Sequence, residues 1–271
     1  MTRKLLIALS VAAAFATGCQ TVETTQSGVV GVDRQQHMLI SSEQMNAGAE
    51  KAYADLLAQA KAKGALDSDP AQAQRVQAIV KRLIPQTAVF RKDAPGWKWE
   101  AHVIGTKDVN AFCMPGGKMA VFSGLIQSLN ATDDELAAVM GHEIAHALRE
   151  HSREQASQQA AQGIGLSVIG ALAGLGDAGM SLSQMAMDVT FNLPHSRQDE
   201  QEADRIGVEL AARAGYDPRA AIALWEKMQK LGGGQPPQIL STHPSNESRI
   251  ADLKQYAEKV MPLYQQATAK R

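Results

Sequence analysis

Cysteine is almost absent from this sequence. Cys19 and Cys113 are the only two, too few for a disulfide framework or for the cysteine-rich ligand sets that usually close structural zinc sites. Aromatic residues are sparse as well, at 4%. Alanine, glutamine and methionine must therefore do much of the filling, and that composition favours helices over a β-sandwich. Neither sign of charge dominates, because 27 basic and 28 acidic side chains leave a net charge of −1. No electrostatic footprint for nucleic acid exists, and none is expected as a partner. Also missing is an uninterrupted apolar run of the roughly twenty residues that a membrane-spanning helix needs. What remains is a 271-residue chain, 45% hydrophobic, with ample material for a sizeable core.

The N-terminus carries an instruction of its own. Arg3 and Lys4 form a short positive region, and Leu5 to Ala16 an apolar stretch too short to cross a bilayer. It ends in Ala16-Thr17-Gly18-Cys19, which resembles the bacterial lipobox, although Ala16 stands where leucine is usual. The resemblance implies a signal peptide over residues 1–18, cleavage before Cys19, and lipidation of Cys19. Gln20 after the cysteine implies delivery to the outer membrane, with the protein facing the periplasm. Several acyl chains hold a protein stably, each buried methylene contributing about 0.8 kcal/mol. With Cys19 so modified, Cys113 has no intrachain partner and reads as a small buried hydrophobe.

Residues 19–41 are polar and without a clear period, and read as a tether between anchor and domain. Residues 42–271 then form a single catalytic domain. Ser42 to Lys63 has helical composition, and Asp69-Pro70 opens a second helix that stops before Pro85. Trp97 to Ile104 alternates as a half-buried strand does. The segments Asp108 to Met114 and Lys118 to Phe122 flank Pro115-Gly116-Gly117, a turn signal that predicts a hairpin. Helices dominate from there on. The glycine-interrupted stretch 163–176 reads as a loosely packed helical segment rather than a membrane insert.

The chemistry begins at His142-Glu143-Ile144-Ala145-His146, an HExxH motif. Thr132 and Glu135 fit a capping box ahead of it, and the apolar positions that follow recur at three- and four-residue spacing. On such a helix His142 and His146 lie one turn apart on one face, where two imidazoles bind one zinc ion. Glu143 is then placed to take a proton from the attacking water. A second element, Asp199-Glu200-Gln201-Glu202-Ala203-Asp204, offers a carboxylate as third ligand, and spacing alone leaves Glu200 and Glu202 both open. If Glu200 binds, Asp204 one turn on reaches the outer N–H of a ligand histidine.

HExxH followed by ExxxD on a later helix resembles the zinc metalloproteases that include HtpX, BepA, LoiP and the CAAX prenyl proteases. Asn110-Ala111-Phe112, Pro115-Gly116-Gly117, Val121 to Leu125, Leu193 to Arg197 and Thr242-His243-Pro244 match the soluble periplasmic branch, and the lipobox brings the chain closest to LoiP-type lipoproteins. The resemblance implies an α+β, mainly α-helical, gluzincin-type domain with a small β-hairpin or sheet beside the HExxH helix. It makes Glu200 the third ligand of one zinc ion per chain, and lets His243 approach the metal from a loop, as a latch or as an oxyanion donor. It also implies unfolded or misassembled envelope proteins as substrates.

Extended peptides often bind by adding a strand to a sheet edge, so the hairpin makes Asn110 and Phe112 candidate substrate-binding residues. His151, five residues past His146, reads as a surface residue, and His195 as a loop histidine without a specific task. A lipid-anchored chaperone or assembly factor with latent protease activity is the alternative function. Oligomeric state is not legible.

Overall fold

The computed structural model describes residues 20–162, 178–231, 237–244 and 247–269. Cys19 and the glycine-interrupted stretch 163–176 lie outside the described residues. The described residues are mainly helical, with a two-stranded ribbon and a three-stranded sheet.

A two-stranded antiparallel ribbon comes first, β1 (Gln20–Val22) against β2 (Gln36–Met38). Helix α1 (Ser42–Ala62) starts from a complete Ser41–Gln44 capping box, and α2 (Pro70–Leu83) has Asp69 as N-cap and proline in its first turn. Both helices match the ranges expected from the sequence, the second from its Asp69-Pro70 start.

The sheet has the order β3-β5-β4, with β3 (Glu100–Ile104) parallel to β5 (Lys118–Phe122) and β4 (Ala111–Met114) antiparallel to it. The hairpin turns through Gly116 and Gly117, at φ of 79° and 83°, where a side chain would be strained. A Cβ at Gly117 would also sit 2.7 Å from the Trp99 ring. The expected strand from Trp97 is shorter than its alternation suggests. Trp97 and Trp99 instead stack on each other at 5.4 Å ahead of β3.

Alternate strand residues feed two cores. Val103, Ala111, Cys113, Met119 and Val121 face the one that contains the HExxH helix. Ile104, Phe112, Met114, Ala120 and Phe122 face α1 and α6 (Ala178–Phe191).

After the short α3 (Ser123–Ser128), helix α4 (Asp133–Leu148) carries HExxH, with its Thr132–Glu135 capping box formed. Every residue from Glu135 to Leu148 is buried, so the expected amphipathic helix is in fact central. It is enclosed by the sheet, by α2, by α7 (Arg197–Arg213) and by α8 (Ala220–Lys230). Helix α5 (His151–Ala161) follows α4 directly, and α9 (Gln238–Thr242) and α10 (Glu247–Ala269) complete the described fold.

Helices α4 and α7 meet through glycines. A Cβ on Gly141 would lie 2.8 Å from the Gly207 carbonyl oxygen, and one on Gly207 would lie 2.8 Å from the His142 nitrogen. The backbones therefore approach closely enough to set the ExxxD turn against HExxH.

Residues 20–41 do not form the expected tether. Val30, Val32, Gln36, Met38 and Ile40 are buried, and the segment lies as a strap across the end of α4 and along α5. Its polar composition is spent on specific bonds. Gln36 donates to the Arg149 carbonyl at 2.8 Å and to Glu154 at 2.5 Å, and Ile40 N–H donates to Ser157 at 3.1 Å. A polar sequence reads as linker when each donor finds water. Here the donors find partners in the fold. Among the described residues no helix is long and apolar enough to cross a membrane.

Candidate metal centre

Four donors converge where α4, α7 and the loop after α9 meet. One atom each from His142, His146, Glu200 and His243 lies within 4.8 Å of all the others, and all four residues are buried. His142 Nε2 is 3.1 Å from His146 Nε2 and 3.6 Å from Glu200 Oε2, while His146 Nε2 is 3.4 Å from Glu200 Oε1. His243 Nδ1 lies 3.3 Å from His142 Nε2 and 2.9 Å from Glu200 Oε1. Metal–ligand bonds of about 2.0–2.1 Å in a tetrahedron give ligand–ligand edges of about 3.3 Å. The observed separations scatter around that value, so the donor set fits a zinc-sized ion in both chemistry and dimensions.

Each donor owes its place to local sequence. His142 and His146 share one face of α4. Glu200 sits in the first turn of α7, fixed by the Ser196–Asp199 capping box. His243 ends α9, its N–H bonded to the Ile239 carbonyl, and the Thr242 carbonyl accepts the His195 N–H at 3.0 Å. That bond ties the His243 loop to the segment leading into α7.

Electrostatics keeps the cluster ready for a cation. Burial alone would raise the Glu200 carboxyl, yet His243, His146 and Arg249 hold it well below the usual carboxylate range. His146 is pushed well below the ordinary histidine range, first by burial and then by His195, which favours the neutral imidazole that a metal requires. Burial raises Glu143 above the usual glutamate range against the pull of His243 and His142. Glu143 Oε1 is buried without a hydrogen-bond partner among the described residues and lies 3.6 Å from His243 Nε2, and a carboxylate raised in this way suits a general base.

Carboxylates held by arginine stand behind the ligands. Asp204 Oδ1 lies 3.0 Å from His142 Nδ1, with the ring turned off the ideal line for a hydrogen bond. Arg249 of α10 grips Asp204 with two bonds of 2.8 Å and reaches Glu200 Oε2 at 2.7 Å. The same guanidinium donates to the Pro244 carbonyl at 3.0 Å and covers the Trp225 ring.

The other expected residues fall out unevenly. Glu202 does not face the donor cluster but pairs with Arg34 and Arg149, and against the opposing effect of burial His151, Arg34 and Arg149 hold its carboxyl at about 2. His151 is not a surface residue. It is fully buried, with Nδ1 2.9 Å from His146 Nδ1. His195 also joins the cluster, its ring 4.2 Å from that of His146.

The side chains of Asn110 and Phe112 are not available to a substrate. Phe112 is packed edge-on against Phe191, Phe122 and Tyr53, and Asn110 Oδ1 accepts the Ala111 N–H. The sheet edge beside them carries the opportunity instead. Asn110 accepts the Phe122 N–H, so antiparallel alternation turns the backbone groups of Ala111 and Cys113 away from β5. The Cys113 backbone on that edge helps to draw the Glu143 carboxyl down against the effect of burial. Cys113 is a buried, free thiol, as expected.

Sequence reasoning missed Arg34, His151 and Arg249. Histidine count was the one available hint, since four of the seven histidines lie within the matched segments and His151 stands five residues past one of them.

The sequence is similar to known proteins over most of this region. Residues 70–257 match the model of Peptidase family M48. The chain is 34% identical over 197 residues to the mitochondrial metalloendopeptidase OMA1 of Saccharomyces cerevisiae, covering 70% of this chain and 56% of that protein. It is 38% identical over 183 residues to its namesake in Schizosaccharomyces pombe, covering 67% and 52%. To the Beta-barrel assembly-enhancing protease of Escherichia coli it is 31% identical over 214 residues, covering 75% and 42%. The matched region thus spans about half the length of these relatives.

Proposed function

The chain belongs to peptidase family M48, with residues 70–257 as a metalloendopeptidase domain of gluzincin type, and from that premise we propose that the protein is a zinc-dependent endopeptidase of the cell envelope. It is anchored through Cys19 to the outer membrane, faces the periplasm, and cleaves unfolded or misassembled envelope polypeptides. The name of the Beta-barrel assembly-enhancing protease supports an envelope role, and the lipobox-like leader supports the anchor.

His142 Nε2, His146 Nε2 and Glu200 hold the metal, and Asp204 orients His142. Bound there, zinc supplies Lewis-acid polarisation of the scissile carbonyl and of the attacking water. Glu143 Oε1 accepts the proton of that water and delivers it to the leaving amine. A substrate strand laid on the outer edge of β4 is brought beside Glu143, because β4 packs against the helix that carries it. The observation that carries this reading is the convergence of four buried donors at tetrahedral separations next to the buried carboxylate of Glu143.

Zinc content and casein cleavage of the lipoprotein and its Glu143→Gln variant test it. The variant should keep its zinc and lose about two to four orders of magnitude in turnover. Equal turnover in the two would sink the assignment.

One observation favours latency as a second reading. His243 Nδ1 supplies the fourth donor, and a fourth protein ligand fills the position that a catalytic site keeps open. His243 then acts as a latch, and His243→Ala should raise casein cleavage at matched zinc occupancy. A fall in turnover would make His243 an oxyanion donor instead, and an unchanged rate would remove both roles.

A further inference from the structure

His146 is supported by a part of the molecule that the reaction scheme leaves unused. Its outer nitrogen, Nδ1, lies 2.9 Å from His151 Nδ1, and His151 Nε2 lies 3.3 Å from Glu202 Oε2. Glu202 also accepts from Arg149 Nε at 2.8 Å and from Arg34 Nε at 2.5 Å. Arg149 has no solvent exposure and donates at 2.9 Å to the carbonyl of Arg34. Arg34 fastens the strap further, donating to Glu154 at 2.6 Å and to Asp199 at 3.0 Å.

The direction of these bonds follows from the charges. A carboxylate held by two guanidinium groups accepts and does not donate. The nitrogen of His151 that faces Glu202 must then carry a hydrogen. A neutral His151 with its hydrogen on Nε2 has a bare Nδ1, which can only accept. The hydrogen between the two rings therefore belongs to His146 Nδ1, and His146 Nε2 is left bare toward His142, Glu200 and His243. Reversal of the chain would place a hydrogen on the nitrogen that faces the donor cluster and block ligation. His151, Asp199 and Glu202 also form a group with metal-ligand spacing, but Arg34 and Arg149 already neutralise its carboxylates, so a cation is not what it holds.

We propose that His151 is a positioning residue: it accepts the Nδ1–H of His146, passes the demand to Glu202, and so fixes the tautomer and ring orientation in which His146 binds metal. Through Glu202 and Arg34 the N-terminal strap becomes part of the metal centre. The proposal rests on the metal-centre reading above.

Zinc affinity of the full-length protein, measured by competition with a chromogenic chelator, separates the two. Failure of the parent to bind zinc would sink the metal centre itself. If the parent binds, His151→Ala should weaken zinc affinity about 10–100-fold, the usual loss when a partner behind a ligand is removed. His151→Asn should recover most of the loss, because asparagine Oδ1 occupies nearly the position of histidine Nδ1 and also accepts. The visible spectrum of the cobalt-substituted protein should shift in the alanine variant and return in the asparagine variant.

Unchanged affinity in His151→Ala, or equal losses in both variants, would overturn the proposal and leave His151 as packing. Should the alanine variant fail to fold, long-range nitrogen–proton NMR spectra of the zinc-loaded parent decide the matter. Hydrogens on His146 Nδ1 and His151 Nε2 support the relay, and a hydrogen on His151 Nδ1 refutes it.

Discussion

On its C-terminal side the metal centre is braced directly, with Arg249 gripping Asp204 beside His142. On its N-terminal side Arg34 and Arg149 grip Glu202, which reaches His146 only through His151. Helical geometry explains the difference. Asp204 stands four residues after Glu200 and shares its face, whereas Glu202 stands two residues after it, about 200° around the helix. A carboxylate on that other face needs an intermediary, and the ring of His151 fills the gap.

The two braces also differ in exposure. Arg249 is 3% exposed at its side chain and Arg34 is 23% exposed. Ion pairs near water are screened more than buried ones. The C-terminal brace should therefore be the stiffer of the two, and the N-terminal brace the one that salt and acid loosen.

Arg249→Ala is the strongest way to break this contrast. It leaves Asp204 and Glu200 buried without their cation, and removal of one partner from a buried pair costs about 3–5 kcal/mol. Urea unfolding of the metal-free protein should show a loss of that size, and a loss below that of Arg34→Ala would reverse the ranking of the braces. Arg34→Ala should cost about 1.5–3 kcal/mol, the range for hydrogen bonds to charged groups, because Arg149 still covers Glu202. Asp204→Asn tests the direct brace by function, and zinc affinity should fall about 10–100-fold. A greater loss in His151→Ala than in Asp204→Asn would make the relayed brace the stronger of the two.

Acid sharpens the comparison with the smallest effect. Arg34 and Gln36 hold the Glu154 carboxyl below the usual glutamate range, against the opposing effect of burial. A depressed carboxylate contributes stability that is present above its unfolded pKa of about 4.3 and lost as pH falls through the folded value. The stability gap between the parent and Arg34→Ala should thus be complete above about pH 5 and shrink below about pH 4. A gap that stays constant down to pH 3 would mean that Arg34 acts through packing rather than charge.

Much of this molecule can be read from local signals. The capping residues Asp69 and Thr132, the Pro115-Gly116-Gly117 turn and the HExxH spacing each act within a few residues, and each marks the element that forms. The four donors of the cluster are residues singled out from sequence, and so is Asp204. What escaped is carried by long-range pairing. Arg34 meets Glu202 across 168 positions and Arg249 meets Asp204 across 45, and neither arginine has a distinctive neighbourhood. His151 was misplaced because five-residue spacing puts it off the ligand face of a continuous helix. In the structure Glu150 takes a left-handed conformation with φ of 52° between α4 and α5, which swings His151 back behind His146. The strap escaped because polar composition does not reveal whether water or protein answers each donor.

With the lipid anchor proposed at Cys19, the strap would also set the reach of the protease domain. Thr24 already donates to the Arg149 carbonyl at 3.2 Å, and Gln20 already pairs in the first ribbon. A lipid attached at Cys19 would leave no slack chain between bilayer and domain. The protease would ride on the membrane surface like a tool on a rigid mount, sampling only the layer of periplasm next to it. Chains stalled at the membrane would be within its range, and proteins free in the bulk compartment would have to come to it.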